Sequence, residues 1–269
     1  MSSLTIYNDI HYDPNSTNLQ QTLDLILPSG KGESKPHPPV IIIIHGGAWI
    51  SGDKKEFAKL GSTICKLSNF AVALVNYRLS TKDAPEIKHP AHVEDVAASI
   101  AWISKHGEQY GYLGDRIYLM GHSVGAFICG QLIFMPEFIG RHDRKLFQSI
   151  RSVIGIQGIY DIPLLLEVWP KYIDFVELAF GKDESVYKNS SPTNNSVAVS
   201  VPSHLIIHSM EDELVDVDQS YNYFEHVKKC GGIDLEMNNS LKGNHEGILQ
   251  TDELANVVVK FILIKESKE

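Results

Sequence analysis

The chain has 269 residues, 43% of them hydrophobic, enough for one α/β domain with a modest insertion and a sizeable core. Its formal net charge of −9 argues against nucleic acid as a partner and fits ordinary cytoplasmic solubility. Three widely spaced cysteines, Cys65, Cys129 and Cys230, with no C-x-x-C, speak against a disulfide framework or a cysteine zinc site and for reduced thiols.

Residues 1–20 are polar and lack an apolar h-region, so no secretory signal is expected, and no apolar run approaches the length of a membrane span. Residues 22–27 alternate apolar and polar side chains and read as an early edge strand. A Gly/Pro/Lys/Ser loop over 29–39 leads into the Val and Ile run 40–44, a central strand buried on both faces. Helical spacing over 54–67 precedes an apolar strand at 71–75. Residues 92–106 place Val93, Val96, Ala97, Ile100 and Ile103 on one helical face. A strand at 117–120 runs into a helix at 126–134, and a further strand follows at 152–156. The rhythm breaks over 162–195, an aromatic-rich segment (Trp169, Tyr172, Phe175, Phe180) expected to fold as a small cap. Strand and helix resume at 204–207 and 217–228, then at 234–237 and about 247–264. This alternation predicts one α/β domain over 1–269 with a mostly parallel, doubly wound sheet.

The chemistry sits where that alternation places strand ends. Gly121-His-Ser-Val-Gly125 reads G-x-S-x-G between a strand and a helix, the pattern of a nucleophile elbow. The turn is so sharp that Gly121 and Gly125 are needed to avoid clashes, and Ser123 projects above the sheet at a helix N-terminus. His122 is a bystander to the catalytic triad on this reading. Directly after the isoleucine run stand His45, Gly46, Gly47, Ala48 and Trp49. Glycines at a strand end let backbone N–H groups approach a substrate oxygen, so the N–H groups of Gly47, Ala48 and Val124 are candidate oxyanion donors. A tight turn alone would also explain a Gly-Gly pair.

Serine needs a base and an orienting acid. In chains with this elbow they follow in the order Ser, Asp/Glu, His. The loop after residues 204–207 carries Asp212 in a pattern resembling H-G-x-x-D-x-x-V, with Ser209 in place of the glycine; Glu211, Glu213 and Asp216 compete with it. Among twelve histidines, only His245 lies in a loop between the last strand and the last helix. Glu94 and Asp95 are adjacent on a helix and point in different directions, which excludes them as an acid pair. Neither a phosphate-binding Gly-rich loop nor an H-E-x-x-H or other metal spacing is present, so no cofactor and no metal are expected.

Taken together, His45–Trp49, Asn76-Tyr-Arg-Leu79, Gly121–Gly125 and the loops of Asp212 and His245 resemble the α/β-hydrolase superfamily, in its branch of hormone-sensitive-lipase-like esterases and kynurenine formamidases. The finer resemblance is to fungal kynurenine formamidases, through H-G-G-x-W, G-H-S-V-G-A, the G-I-Y-D of Gly158–Asp161 and the H-S-x-x-D-E-L of His208–Leu214. The resemblance implies the α/β-hydrolase fold, Ser123 as nucleophile, Asp212 as orienting acid and His245 as general base. It also implies hydrolysis of N-formyl-L-kynurenine to L-kynurenine and formate in tryptophan catabolism. A short-chain carboxylesterase is the first alternative and a non-catalytic ligand receptor on the same fold the second. The expected partner is a small ester or arylformamide, with no nucleic acid and no membrane. Residues contacting the substrate are unknown at this level. A homodimer is compatible with such folds, although no sequence patch is diagnostic of one.

Overall fold

The computed structural model describes residues 3–29, 37–196, 200–232 and 234–267. Part of the expected 29–39 loop therefore lies outside the described residues. Among the described residues, eight strands form one sheet in the order β1-β2-β4-β3-β5-β6-β7-β8. They are β1 (Leu4–His11), β2 (Thr22–Pro28), β3 (Val40–Ile44), β4 (Ala71–Val75), β5 (Ile117–His122), β6 (Ile150–Ile156), β7 (Ser203–Ile207) and β8 (Leu235–Asn238). β3 to β8 run parallel, and β1 and β2 pair antiparallel at one side.

Two layers of helices cover the sheet because its strands alternate apolar side chains to both faces. On β3, Val40, Ile42 and Ile44 join the core under α2 (Ala91–Tyr110) and α3 (Val124–Phe134). Ile41 and Ile43 point the other way, into a second core with side chains of α1 (Ala58–Ser68) and of the C-terminal helix Asp252–Glu266. Val93, Val96, Ala97, Ile100 and Ile103 of α2 are all fully buried, as their spacing predicts.

The strand at 22–27 is not at the edge. β2 is buried along nearly its whole length because β1 adds outside it. β1 gave no signal in the sequence because it exposes residues on both faces and is held by backbone pairing to β2, not by an alternating apolar pattern. Side-chain clamps reinforce it: the buried ammonium of Lys54 lies 2.5 Å from Asp9 of β1 and 3.0 Å from Asp24 of β2.

Between β5 and β6 lies a short α4 (Glu137–Gly140). The 162–195 segment folds as α5 (Ile162–Val168), α6 (Ile173–Phe180) and α7 (Glu184–Ser190), joined by single-turn helices. Asp161 caps α5 through the Leu164 N–H at 3.0 Å, and its other oxygen accepts the Thr193 hydroxyl at 2.7 Å, so one carboxylate ties both ends of the segment together. Beyond it come α8 (Val217–Lys229) and α9 (Asp252–Glu266).

Candidate active site

The site lies at the carboxyl ends of β3, β5, β7 and β8, where an open parallel sheet offers its crevice. β5 delivers the chain into Ser123, which adopts φ 54° and ψ −119° at the N-terminus of α3. A positive φ is strained for a residue with a side chain, and the surrounding packing must hold it. The elbow leaves no room for larger residues. A methyl group on Gly121 would overlap the backbone of Gly125, and one on Gly125 would overlap the carbonyl of Ile44 on the neighbouring strand. The Ser123 N–H donates to the Ile156 carbonyl at 2.9 Å, which ties the turn to β6.

Beside the elbow, residues 47–49 all have positive φ, at 98° for Gly47, 53° for Ala48 and 61° for Trp49. Two buried aromatic residues fix this loop. Tyr77 stacks on the His45 ring at 4.4 Å between centroids, and its hydroxyl donates to the carbonyls of His45 and Gly46, each at 3.1 Å. Trp49 meets Phe127 of α3 and Phe180 of α6 edge to face. A methyl on Gly46 would come within 3.0 Å of both Ser123 Cβ and His122 Nδ1, so loop and elbow are in close contact. Val124 is the first residue of α3, and the N–H groups of a first helical turn have no intrahelical acceptor.

His245 and Asp212 meet as expected. His245 Nδ1 donates to the Asp212 carboxylate, 2.9 Å from Oδ2 and 3.0 Å from Oδ1, and both side chains are almost fully buried. Burial pushes the Asp212 carboxyl up, but the bonds from His245 and from the N–H groups of Leu214 and Val215 outweigh it and hold the pKa below the usual carboxylate value. With Nδ1 engaged as donor, the neutral His245 ring carries its free lone pair on Nε2.

The three competing acids have other work. Glu213 accepts the backbone N–H of His245 at 3.0 Å, and Glu211 accepts that of Gly243 at 2.9 Å. Asp216 accepts the Trp169 indole N–H at 2.9 Å, while the Tyr172 hydroxyl donates to the Leu214 carbonyl at 3.1 Å. The acid loop is thus pinned on one side to the histidine loop and on the other to the 162–195 segment.

His122 is not the bystander of the sequence reading. Its Nε2 donates to the His245 carbonyl at 2.9 Å, and burial lowers its pKa to about 3, so it is neutral. Spacing could not reveal this bond, since its partner lies 123 residues away. Another residue without a signal in the sequence is Gln157, just after β6. It is fully buried with φ 46°, and its side-chain amide has no hydrogen-bond partner among the described residues. Asn76 and Arg78 of the Asn76–Leu79 motif serve the framework. Asn76 accepts the Lys54 N–H at 2.6 Å, and Arg78 binds Asp95 through two nitrogens at 2.7 and 2.8 Å.

Comparison with known families decides what this arrangement belongs to. The family described as BD-FAE matches residues 23–227, which hold the elbow, the glycine loop and Asp212. The chain belongs to the BD-FAE family. As a member of that α/β-hydrolase family it is a serine hydrolase. A kynurenine formamidase of Meyerozyma guilliermondii is 31% identical over 228 residues, spanning 82% of this chain and 83% of the relative. One of Eremothecium gossypii is 30% identical over 237 residues, spanning 82% and 92%. Among solved structures, a truncated carbohydrate esterase from gut microbiota superposes with a TM-score of 0.82 over 99% of this chain and 97% of its own, at 22% identity. That likeness shows a shared fold over nearly the whole chain.

Proposed function

We propose that this protein is an arylformamidase that hydrolyses N-formyl-L-kynurenine to L-kynurenine and formate. The observation that carries the reaction is the buried Asp212–His245 pair, tied through His122 to a strained serine elbow. Identity near 30% to kynurenine formamidases over most of the chain supports the substrate. In this reading Ser123 Oγ attacks the formyl carbon while His245 Nε2 takes the hydroxyl proton. The N–H groups of Gly47, Ala48 and Val124 stabilise the oxyanion of the tetrahedral intermediate. The C–N bond then breaks, His245 returns the proton to the departing aryl amine, and a formyl ester stays on Ser123. Water activated by His245 attacks that ester, releasing formate and restoring the serine.

Asp212 keeps the His245 ring oriented and offsets the imidazolium charge that develops in each half-reaction. Its lowered pKa keeps it ionised throughout the neutral range. A row of half-buried rings supports an aryl leaving group. Trp169 stacks on Tyr172 at 5.6 Å, Tyr172 lies 5.0 Å from Phe175, and Phe175 lies 6.2 Å from Trp49. The row runs from the acid loop to the glycine loop. The free thiols of Cys65, Cys129 and Cys230 suit a reducing, cytoplasmic setting.

The test compares kcat/KM on N-formyl-L-kynurenine and on p-nitrophenyl acetate. Higher efficiency on the formamide is expected. Fast ester cleavage with negligible formamidase turnover would overturn the substrate and leave the short-chain carboxylesterase in its place. Hydrolysis unaffected by Ser123→Ala would overturn the catalytic reading as a whole and return the ligand-receptor alternative.

A further inference from the structure

We propose that His122, His245 and Glu246 form a binding site for a divalent transition-metal ion such as zinc, and that filling it turns the enzyme off. One ligating atom of each of the three lies within 4.8 Å of those of the other two. Both imidazoles are preset to ligate. His122 donates its Nε2–H to the His245 carbonyl, which leaves the lone pair on Nδ1. His245 donates its Nδ1–H to Asp212, which leaves the lone pair on Nε2. In both rings the second nitrogen is thus held by an oxygen acceptor, the arrangement that orients metal-ligating histidines and raises their basicity. Two imidazole nitrogens and one carboxylate oxygen leave a fourth tetrahedral position for water.

Access and charge favour the same ion. A groove of about 580 Å³ reaches two of the three residues, lined by Gly46, Gly47, Glu56, His122 and Glu246. Its two carboxylates give it negative charge. Ligand atoms around tetrahedral zinc sit about 3.4 Å apart, from bonds near 2.1 Å. The exposed Glu246 side chain can swing its carboxylate toward the two rings. The chain carries no compact metal motif, because His122 lies at the elbow and the other two ligands in the loop before α9. The bond between His122 and the His245 carbonyl ties the elbow to that loop.

The inhibitory half rests on the reading of His245 as the general base, since metal and serine proton would compete for its Nε2 lone pair. Metal binding itself does not rest on it. The test is titration of the full-length protein with Zn2+ by calorimetry and with Co2+ by visible absorption. One equivalent is expected to bind to the wild type and, with similar affinity, to Ser123→Ala. Glu246→Gln should weaken binding about tenfold or more, and His245→Asn should abolish it. Hydrolysis of p-nitrophenyl acetate should fall as the site fills and recover with EDTA. Each variant is compared with its own metal-free rate. Absence of stoichiometric binding, or equal affinity in the wild type and in Glu246→Gln, overturns the site. Stoichiometric binding with undiminished turnover retains the site and overturns the inhibition, and with it the role of His245 as base.

Discussion

The nucleophile elbow and the histidine loop face each other across one site, yet they are held by different physics. At the elbow, backbone packs against backbone. Gly121, Gly125 and Ile44 approach so closely that no Cβ fits, and Ser123 is forced to φ 54°. The histidine loop has one tight backbone approach, Gly243 at φ 127° against the Ile248 N–H, and otherwise hangs from side chains: Asp212 on the ring, Glu213 and Glu211 on backbone N–H groups, His122 on the carbonyl. Steric confinement fixes a position almost without alternatives, whereas a set of single hydrogen bonds fixes it in removable steps. The elbow should therefore fail all at once under substitution and the loop by degrees.

The largest effect expected is on chemistry that needs both regions together. Ser123→Ala and His245→Ala should each lower kcat by about five to six orders of magnitude, and the double variant should be no worse than either, because the residues act as a unit. Additive losses in single-turnover assays would show that the two do not cooperate. The next effect separates the regions. Gly125→Val drives side-chain atoms into the Ile44 carbonyl and should destabilise the fold by about 3 kcal/mol or more, read as a drop in the denaturant midpoint. A midpoint within error of the wild type would remove the steric account of the elbow.

Acid probes the elbow side and the framework around it, through a set of buried imidazoles. Burial lowers the pKa of His45 to about 4 and of His122 to about 3, and those of His89, His92 and His204 to between about 3 and 4. The unfolded chain takes up protons at these histidines near the ordinary value of 6.5, while the folded chain refuses them until pH approaches 4. Stability is therefore full above pH 6.5 and is lost as pH falls from there toward 4. Each such histidine contributes up to about 1.4 kcal/mol per pH unit in that window. A few acting together match a typical total stability of about 5–15 kcal/mol within two units. Circular dichroism against pH should show cooperative unfolding near pH 5 with uptake of several protons. A transition confined to pH below 4 would assign acid sensitivity to carboxylates instead.

The same contrast explains what could be read from the sequence. The elbow was legible because steric confinement demands glycines at fixed spacing, and spacing is what a sequence displays. The central strands were legible because Val40–Ile44 must be apolar on both faces. The contacts of the histidine loop were not. The H-x-x-x-D-x-x-V pattern singled out Asp212, but Glu211 and Glu213 read only as its competitors, and nothing local told that they would meet backbone 32 residues away. β1 escaped notice for the related reason that backbone pairing leaves no side-chain signature.

Tyr77 and Glu213 supply the smallest and most diagnostic pair of effects. Tyr77→Phe removes one buried hydroxyl that serves two carbonyls of the glycine loop, leaving both without that donor. A loss of about 2 kcal/mol in stability is expected, with reduced kcat as the donors of Gly47 and Ala48 lose their alignment. Glu213→Ala touches an exposed side chain, so stability should change by less than about 1 kcal/mol. Its bond to the His245 N–H, however, sets where the ring stands. The expected result is a fall in kcat of about five- to tenfold with KM little changed. Glu213→Gln keeps an acceptor oxygen and should restore most of that rate, which a purely electrostatic role of the carboxylate would not allow. If alanine and glutamine are equally impaired, charge holds the loop, and the hydrogen-bond account of the histidine side of the site fails.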